Sequence, residues 1–171
     1  MTELIEQHQL EEYQDMGSLN HSFIQARLAR LLPEDNFTIM IELSLDISQT
    51  DLSSFGLKVK EELKPDVSVY KGNYQPNPLE DIVKMSDMPS LVIEILSPTQ
   101  SFSDILPKFK AYFALGVKSG WLVTPALESI AVYSAESHKN KSYKSFDITH
   151  DTEVIDEVLD IHLPLQKIFR K

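Results

Sequence analysis

Hydrophobic and polar positions change their period several times along the chain, and each change marks an element. In "SLNHSFIQARLARLLPE", Phe23, Ile24, Leu28 and Leu31 recur at helical spacing. Ser18 or Asn20 can cap this helix, and Pro33 ends it. Residues 37–48, "FTIMIELSLDIS", switch to alternation: Phe37, Ile39, Ile41, Leu43, Leu45 and Ile47 share one side, which predicts one long strand. "DVSVY" (66–70), preceded by Pro65, and "LVIEIL" (91–96) read as two more strands. The loop between them, 71–89, is rich in turn formers such as Gly72, Asn73, Pro76 and Pro78. "SDILPKFKAYFALGV" (103–117) predicts a helix capped by Ser103 and stopped by Gly116, with Pro107 close enough to the first turn to be tolerated. "GWLVT" (120–124) and "SIAVY" (129–133) are strands, and "PLQKIFRK" is a short closing helix. Residues 3–15 carry a weaker helical pattern through Leu4, Ile5, Leu10 and Tyr13. Strands joined through a crossover helix predict an α/β fold, a mixed β-sheet flanked by helices.

Composition narrows the class. The length, 171 residues, suits one domain over 1–171, with 1–16 as an N-terminal helical extension. There is no internal repeat or low-complexity linker. No apolar run approaches the roughly 20 residues of a membrane span, and the polar, acidic N-terminus does not read as a signal peptide. The absence of cysteine excludes disulfides and thiolate metal sites. The expectation is a cytoplasmic protein with no membrane partner. A net charge of −10 argues against a general nucleic-acid coat protein, but not against a nucleic-acid enzyme with local basic residues.

One position resists the hydrophobic pattern. Glu94 sits within Leu91, Val92, Ile93, Ile95 and Leu96. Alternation puts it on a face with Val92 and Leu96, while Leu91, Ile93 and Ile95 take the other, so both faces read as buried. A buried carboxylate needs a partner, a metal or a proton. Asp66 opens the preceding strand, and if the two strands pair, the carboxylates converge at one sheet end. Such a pair is tolerable around a divalent cation, and Mg²⁺ (or Mn²⁺) takes hard oxygen ligands while keeping waters. Phosphodiester hydrolysis further needs a cationic group. Asp104, Lys108 and Tyr112 share one face of the following helix, from which Lys108 can reach toward Glu94.

Each residue also has a plainer reading. Glu94 can be an edge residue or half of a structural ion pair, and Asp66 after proline a turn residue. Asp104 with Lys108 can be a surface pair, and His21 a polar residue at a helix start. Glu42 reads as solvated on the polar side of its strand. Spacing alone leaves these alternatives open.

The ordered set "NHSFIQARLARLL", "KPDVSVY", "LVIEILSPTQS", "DILPKFKAYFALGVKSGWLVTP" and "IAVY" resembles the Uma-two family, within the PD-(D/E)XK superfamily that includes restriction endonucleases. The resemblance runs from about residue 17 to the C-terminus. It implies a restriction-endonuclease-like core and metal-dependent hydrolysis of nucleic acid, DNA in particular. On the family pattern Asp66 and Glu94 match the acidic metal-binding residues. The superfamily lysine would fall at Leu96 and is missing; the family instead carries a lysine in the next helix, here Lys108. Asn20–His21 matches a feature near the first helix, which makes His21 a candidate phosphate contact or proton carrier. Thr124 stands where the family commonly has Asp. The resemblance also implies a homodimer, since superfamily members pair to reach both strands. The rival reading is a non-catalytic binding or assembly module that retains the nuclease fold.

Overall fold

The computed structural model describes residues 17–48, 50–57 and 62–171. The helical pattern at 3–15 lies outside them. Helix α1 (Leu19–Leu31) is followed by β1 (Phe37–Ile41), β2 (Leu45–Asp46), β3 (Glu62–Leu63), β4 (Val67–Lys71) and β5 (Leu91–Ile95). Then come α2 (Phe102–Ala114), β6 (Ser119–Thr124), β7 (Ser129–Ser134), α3 (Ala135–Lys139), β8 (Lys144–Asp147), β9 (Glu153–Asp156), β10 (Ile161–Pro164) and α4 (Leu165–Phe169). A mixed sheet runs β1-β4-β5-β6-β7-β8. Within it β5 and β6, joined through α2, are parallel and the other pairs antiparallel. This is the expected α/β architecture, a mixed sheet flanked by helices.

The two faces of β5 do what alternation requires. Leu91, Ile93 and Ile95 enter a core with Ile24 and Leu28 of α1, Trp121 and Val123 of β6, and Leu165 and Ile168 of α4. Val92 enters the opposite core with Phe109 and Tyr112 of α2, Leu122, Tyr70 and Leu45. All five residues of β5 are buried, as a central strand covered on both sides must be. Gly120 on β6 lies so close to α2 that a Cβ there would sit 2.5 Å from the Phe109 ring. No helix among the described residues is long and apolar enough to cross a membrane.

Several elements differ from the sequence pattern. The expected long strand over 37–48 is broken. Its ladder with β4 ends where the Glu42 amide donates to the Asp66 carbonyl, 3.2 Å. Glu42 then takes a positive φ of 53°, which turns the chain out of the sheet, and β2 pairs with β3 instead. Alternation cannot report such a break, because the side chains keep their period on both sides of it. Helix α2 begins at Phe102, with Ser101 rather than Ser103 as N-cap. Asp104 closes the box by accepting from the Ser101 amide at 2.7 Å. Gly116, at φ 101°, sits just past the helix end as expected. The short strands β8, β9 and β10 and helix α3 carry too few alternating positions to be read from the sequence.

Candidate active site

Asp66 stands one residue before β4 and ties four segments together. The β4–β5 register pairs Val67 with Ile93, so one further step sets Asp66 opposite Glu94. The Asp66 Oδ2 accepts from the Ile95 amide at 2.6 Å. Its Oδ1 lies 3.0 Å from Nε2 of His21, with side-chain exposures of 17% and 12%. Its backbone carbonyl accepts from Gln25 Nε2 at 3.0 Å. Helix α1 therefore supplies His21 and Gln25 one turn apart, and Ser18 fixes that turn by accepting from the His21 amide at 3.2 Å.

Glu94 is 3% exposed. Its Oε1 accepts from the Tyr112 hydroxyl of α2 at 2.6 Å. Burial pushes its carboxyl up to about 7, against the pull of the Lys108 ammonium, and the neighbouring Asp66 carboxylate pushes it the same way as burial. Lys108, half-buried in the middle of α2, is thus the cation that acts most strongly on Glu94. His21 moves upward as well, chiefly through its hydrogen bond to Asp66, with desolvation opposing. Tyr112 is driven well above the ordinary phenol range by burial and by the Glu94 carboxylate. Two carboxylates, an imidazole and an ammonium thus share one sheet end, at the C-terminal edge of β5.

Asp66, opposite Glu94 in the strand register, meets His21 of α1, and the Lys108 charge acts on Glu94. Asp104 is not part of it: its carboxylate is committed to the α2 N-cap. Glu42 is exposed, yet its charge reaches His21. Two contributors escaped sequence reasoning as site residues. Tyr112 was legible as lying one turn beyond Lys108 on the same helix face; Gln25 left no signal beyond lying four residues after His21. A second buried carboxylate, Asp156, lies elsewhere. It is fully buried and accepts from Ser119 Oγ, from Trp121 Nε1 at 2.8 Å, and from the amides of Val158 and Leu159 at 3.0 and 3.1 Å. With its oxygens saturated by donors, it serves the fold.

The donor set at the Asp66–Glu94 corner fits a hard divalent cation. The register sets two carboxylates opposite each other there without a cysteine or a second imidazole, and the Asp66 oxygens and Glu94 Oε1 each have lone-pair capacity beyond the one contact shown. Among the described residues, no cluster of three or more His, Cys, Asp or Glu forms a ready cage, so an ion there would keep several waters.

A family model described as "Uma2: Putative restriction endonuclease" matches residues 3–166. The chain belongs to the Uma2 family. No curated protein matches it. A solved structure described as "a putative nuclease belonging to DUF820", from Anabaena variabilis, is similar to this Uma2 chain with a TM-score of 0.69 and 23% identity. The match covers 90% of this chain and 82% of that one, and at this identity it establishes a shared fold. Thr124, where the resemblance to other Uma2 members leads one to expect Asp, is 7% exposed at the end of β6.

Proposed function

We propose that this Uma2 chain is a metal-dependent endonuclease that hydrolyses phosphodiester bonds in DNA. The observation that carries the reading is the register of β4 and β5, which sets Asp66 against Glu94 beside His21 and the charge of Lys108. Asp66 and Glu94 would hold Mg²⁺ or Mn²⁺. When bound, such an ion lowers the pKa of a coordinated water and polarises the phosphate. Asp66 is held in orientation by the Ile95 amide and His21. Glu94 is held by Tyr112, whose hydroxyl donates to its Oε1. His21, with its affinity for a proton raised, can contact a phosphate oxygen or pass a proton to the leaving group. Lys108 places positive charge where negative charge accumulates in the transition state. Cleavage of both strands of a duplex would take two copies, and a homodimer belongs to this reading.

The experiment is plasmid nicking with Mg²⁺ or Mn²⁺, with and without chelator, for the wild type and for Asp66→Asn and Glu94→Gln. Metal-dependent nicking that both variants lose supports the proposal. No nicking under any metal sinks it. The second reading, a binding module that keeps the fold, is favoured by the same hydrogen bonds: both oxygens of Asp66 and one of Glu94 already have protein partners.

A further inference from the structure

Charge is distributed unevenly over the molecule. Residues 105–146 carry six lysines against Glu128 and Glu136, a net of +4 within a chain of −10. The fold gathers five of these lysines at the sheet end opposite the Asp66–Glu94 corner. Lys118 immediately precedes β6, and its carbonyl accepts from the Ala135 amide that starts α3, 3.0 Å. Lys139 ends α3, Lys141 lies in the turn after it at φ 54°, and Lys144 opens β8. Lys110 lies on the C-terminal half of α2, whose Phe113 ring lies tilted against His138 of α3 at 5.0 Å. Its charge, after burial, helps to hold the His138 imidazole below its usual range.

The lysines on this face are available. Lys110, Lys118 and Lys141 are exposed, and among the described residues none of the three forms an ion pair. Lys139 and Lys144 pair with Glu136 and Glu157, but these pairs are 60–80% exposed and such contacts are weak. An aromatic platform stands among them. Tyr143 is 56% exposed and its ring is backed by Tyr133 at 5.0 Å. Tyr133 in turn stacks on Phe109 at 5.4 Å and 24°. Beside Tyr143 and Lys144 opens a cleft of about 330 Å³, edged by the hydroxyl-bearing Ser134, Ser137 and Ser142.

Lysines clustered on an otherwise acidic protein repel one another without gain to the fold, whereas a polyanion repays them through released counterions. A rigidly backed, exposed tyrosine among them offers a stacking surface to any unpaired base. We propose that this face, from Lys110 and Lys118 across α3 to Lys141 and Tyr143, is a binding track for a single-stranded stretch of nucleic acid. The lysines hold the backbone and Tyr143 stacks a base. This rests on the nuclease reading for its purpose: α2 links the face to Lys108, and β6 spans the two ends over roughly 17 Å. The track would thus engage the substrate several nucleotides from the bond at the carboxylates.

The test is fluorescence anisotropy in EDTA, over a salt series, with a labelled single-stranded DNA oligonucleotide and its duplex. The proteins are wild type, the triple variant Lys118→Gln/Lys139→Gln/Lys141→Gln and Tyr143→Ala. The triple variant is expected to bind about tenfold more weakly, and its log–log salt slope to fall by about 2, three contacts at roughly 0.7 each. Tyr143→Ala should weaken single-strand binding about fivefold or more and leave duplex binding unchanged. A wild type that binds neither probe, a triple variant with unchanged affinity and slope, or a Tyr143→Ala variant that binds the single strand normally overturns the track. If binding follows the expected pattern while no metal supports cleavage, the nuclease reading falls and the track stands.

Discussion

The Tyr112 hydroxyl donates to Glu94 Oε1 at 2.6 Å, across the interface between α2 and the centre of the sheet, with both residues buried. This one bond joins the helix that carries Lys108 to the strand that carries the out-of-place carboxylate. It also lowers the cost of that carboxylate, whose burial would otherwise push its pKa higher still.

Tyr112→Phe keeps the ring in its packing and removes the donor. The variant is expected to lose about 1–2 kcal/mol of stability at pH 8, where Glu94 is charged, and much less at pH 5, where it is not. Urea denaturation at the two pH values checks this. Equal losses at both would mean that the hydroxyl serves packing rather than the carboxylate.

Metal-free protein should become less stable as pH rises from 5 to 8. Glu94 titrates near 4.5 when unfolded and at about 7 when folded, so the folded state holds a proton that the unfolded state releases between those values. Its penalty is absent below the lower value and complete above the upper, on the order of 3 kcal/mol at most. His21 acts in the same direction: its pairing with Asp66 stabilises fully below 6.5 and fades as pH passes its raised folded value. Glu94→Gln should flatten most of the slope. A wild-type stability that rises over this range would overturn the assignment.

Divalent metal should reverse that weakness. At a hundredfold excess over its dissociation constant, Mg²⁺ or Mn²⁺ is expected to stabilise the wild type by about 2.7 kcal/mol. Thermal melts in EDTA, Mg²⁺ and Mn²⁺ read this directly. Asp66→Asn and Glu94→Gln should show little of the shift; if they keep it, the ion binds elsewhere.

Asp156→Ala should be among the most damaging single changes in the chain. It leaves the Trp121 indole, the Ser119 hydroxyl and two turn amides without their acceptor in a dry interior. A loss of about 3 kcal/mol or more is expected in urea denaturation. Asp66→Asn in EDTA should cost far less, which separates the structural carboxylate from the corner that we assign to chemistry.

Gly120→Ala should cost about 1–3 kcal/mol by driving a methyl group into the Phe109 ring. Adding Phe109→Leu should recover part of that loss. A fully stable Gly120→Ala would show that α2 can lift from the sheet without penalty.

Much of the corner was legible because strands keep a strict period of two. A carboxylate inside "LVIEIL" had to lie on one of two apolar faces, and "PD" at the head of the preceding strand put a second one within pairing distance. The helix between "LVIEIL" and "GWLVT" likewise implied the parallel β5–β6 pair at the centre of the sheet. The helix face through Asp104, Lys108 and Tyr112 offered Lys108, and family resemblance added His21.

What the sequence alone determined was therefore the central strands, the crossover helix and the two apolar faces around Glu94, since local periodicity dictates which side chains share a surface. Tertiary structure decided the rest. The break at Glu42 depends on one backbone angle that leaves the apolar alternation intact on either side. Which side chain meets Glu94 depends on how α2 is set on the sheet, and that setting is fixed by the contact of Gly120 with Phe109. Asp156, in the unremarkable "VIDEVLD", becomes a buried hub because two short strands fold its turn against Trp121, a partner 35 residues away in the chain. Partnerships made at that separation are set by three-dimensional packing, and no periodicity along the chain records them.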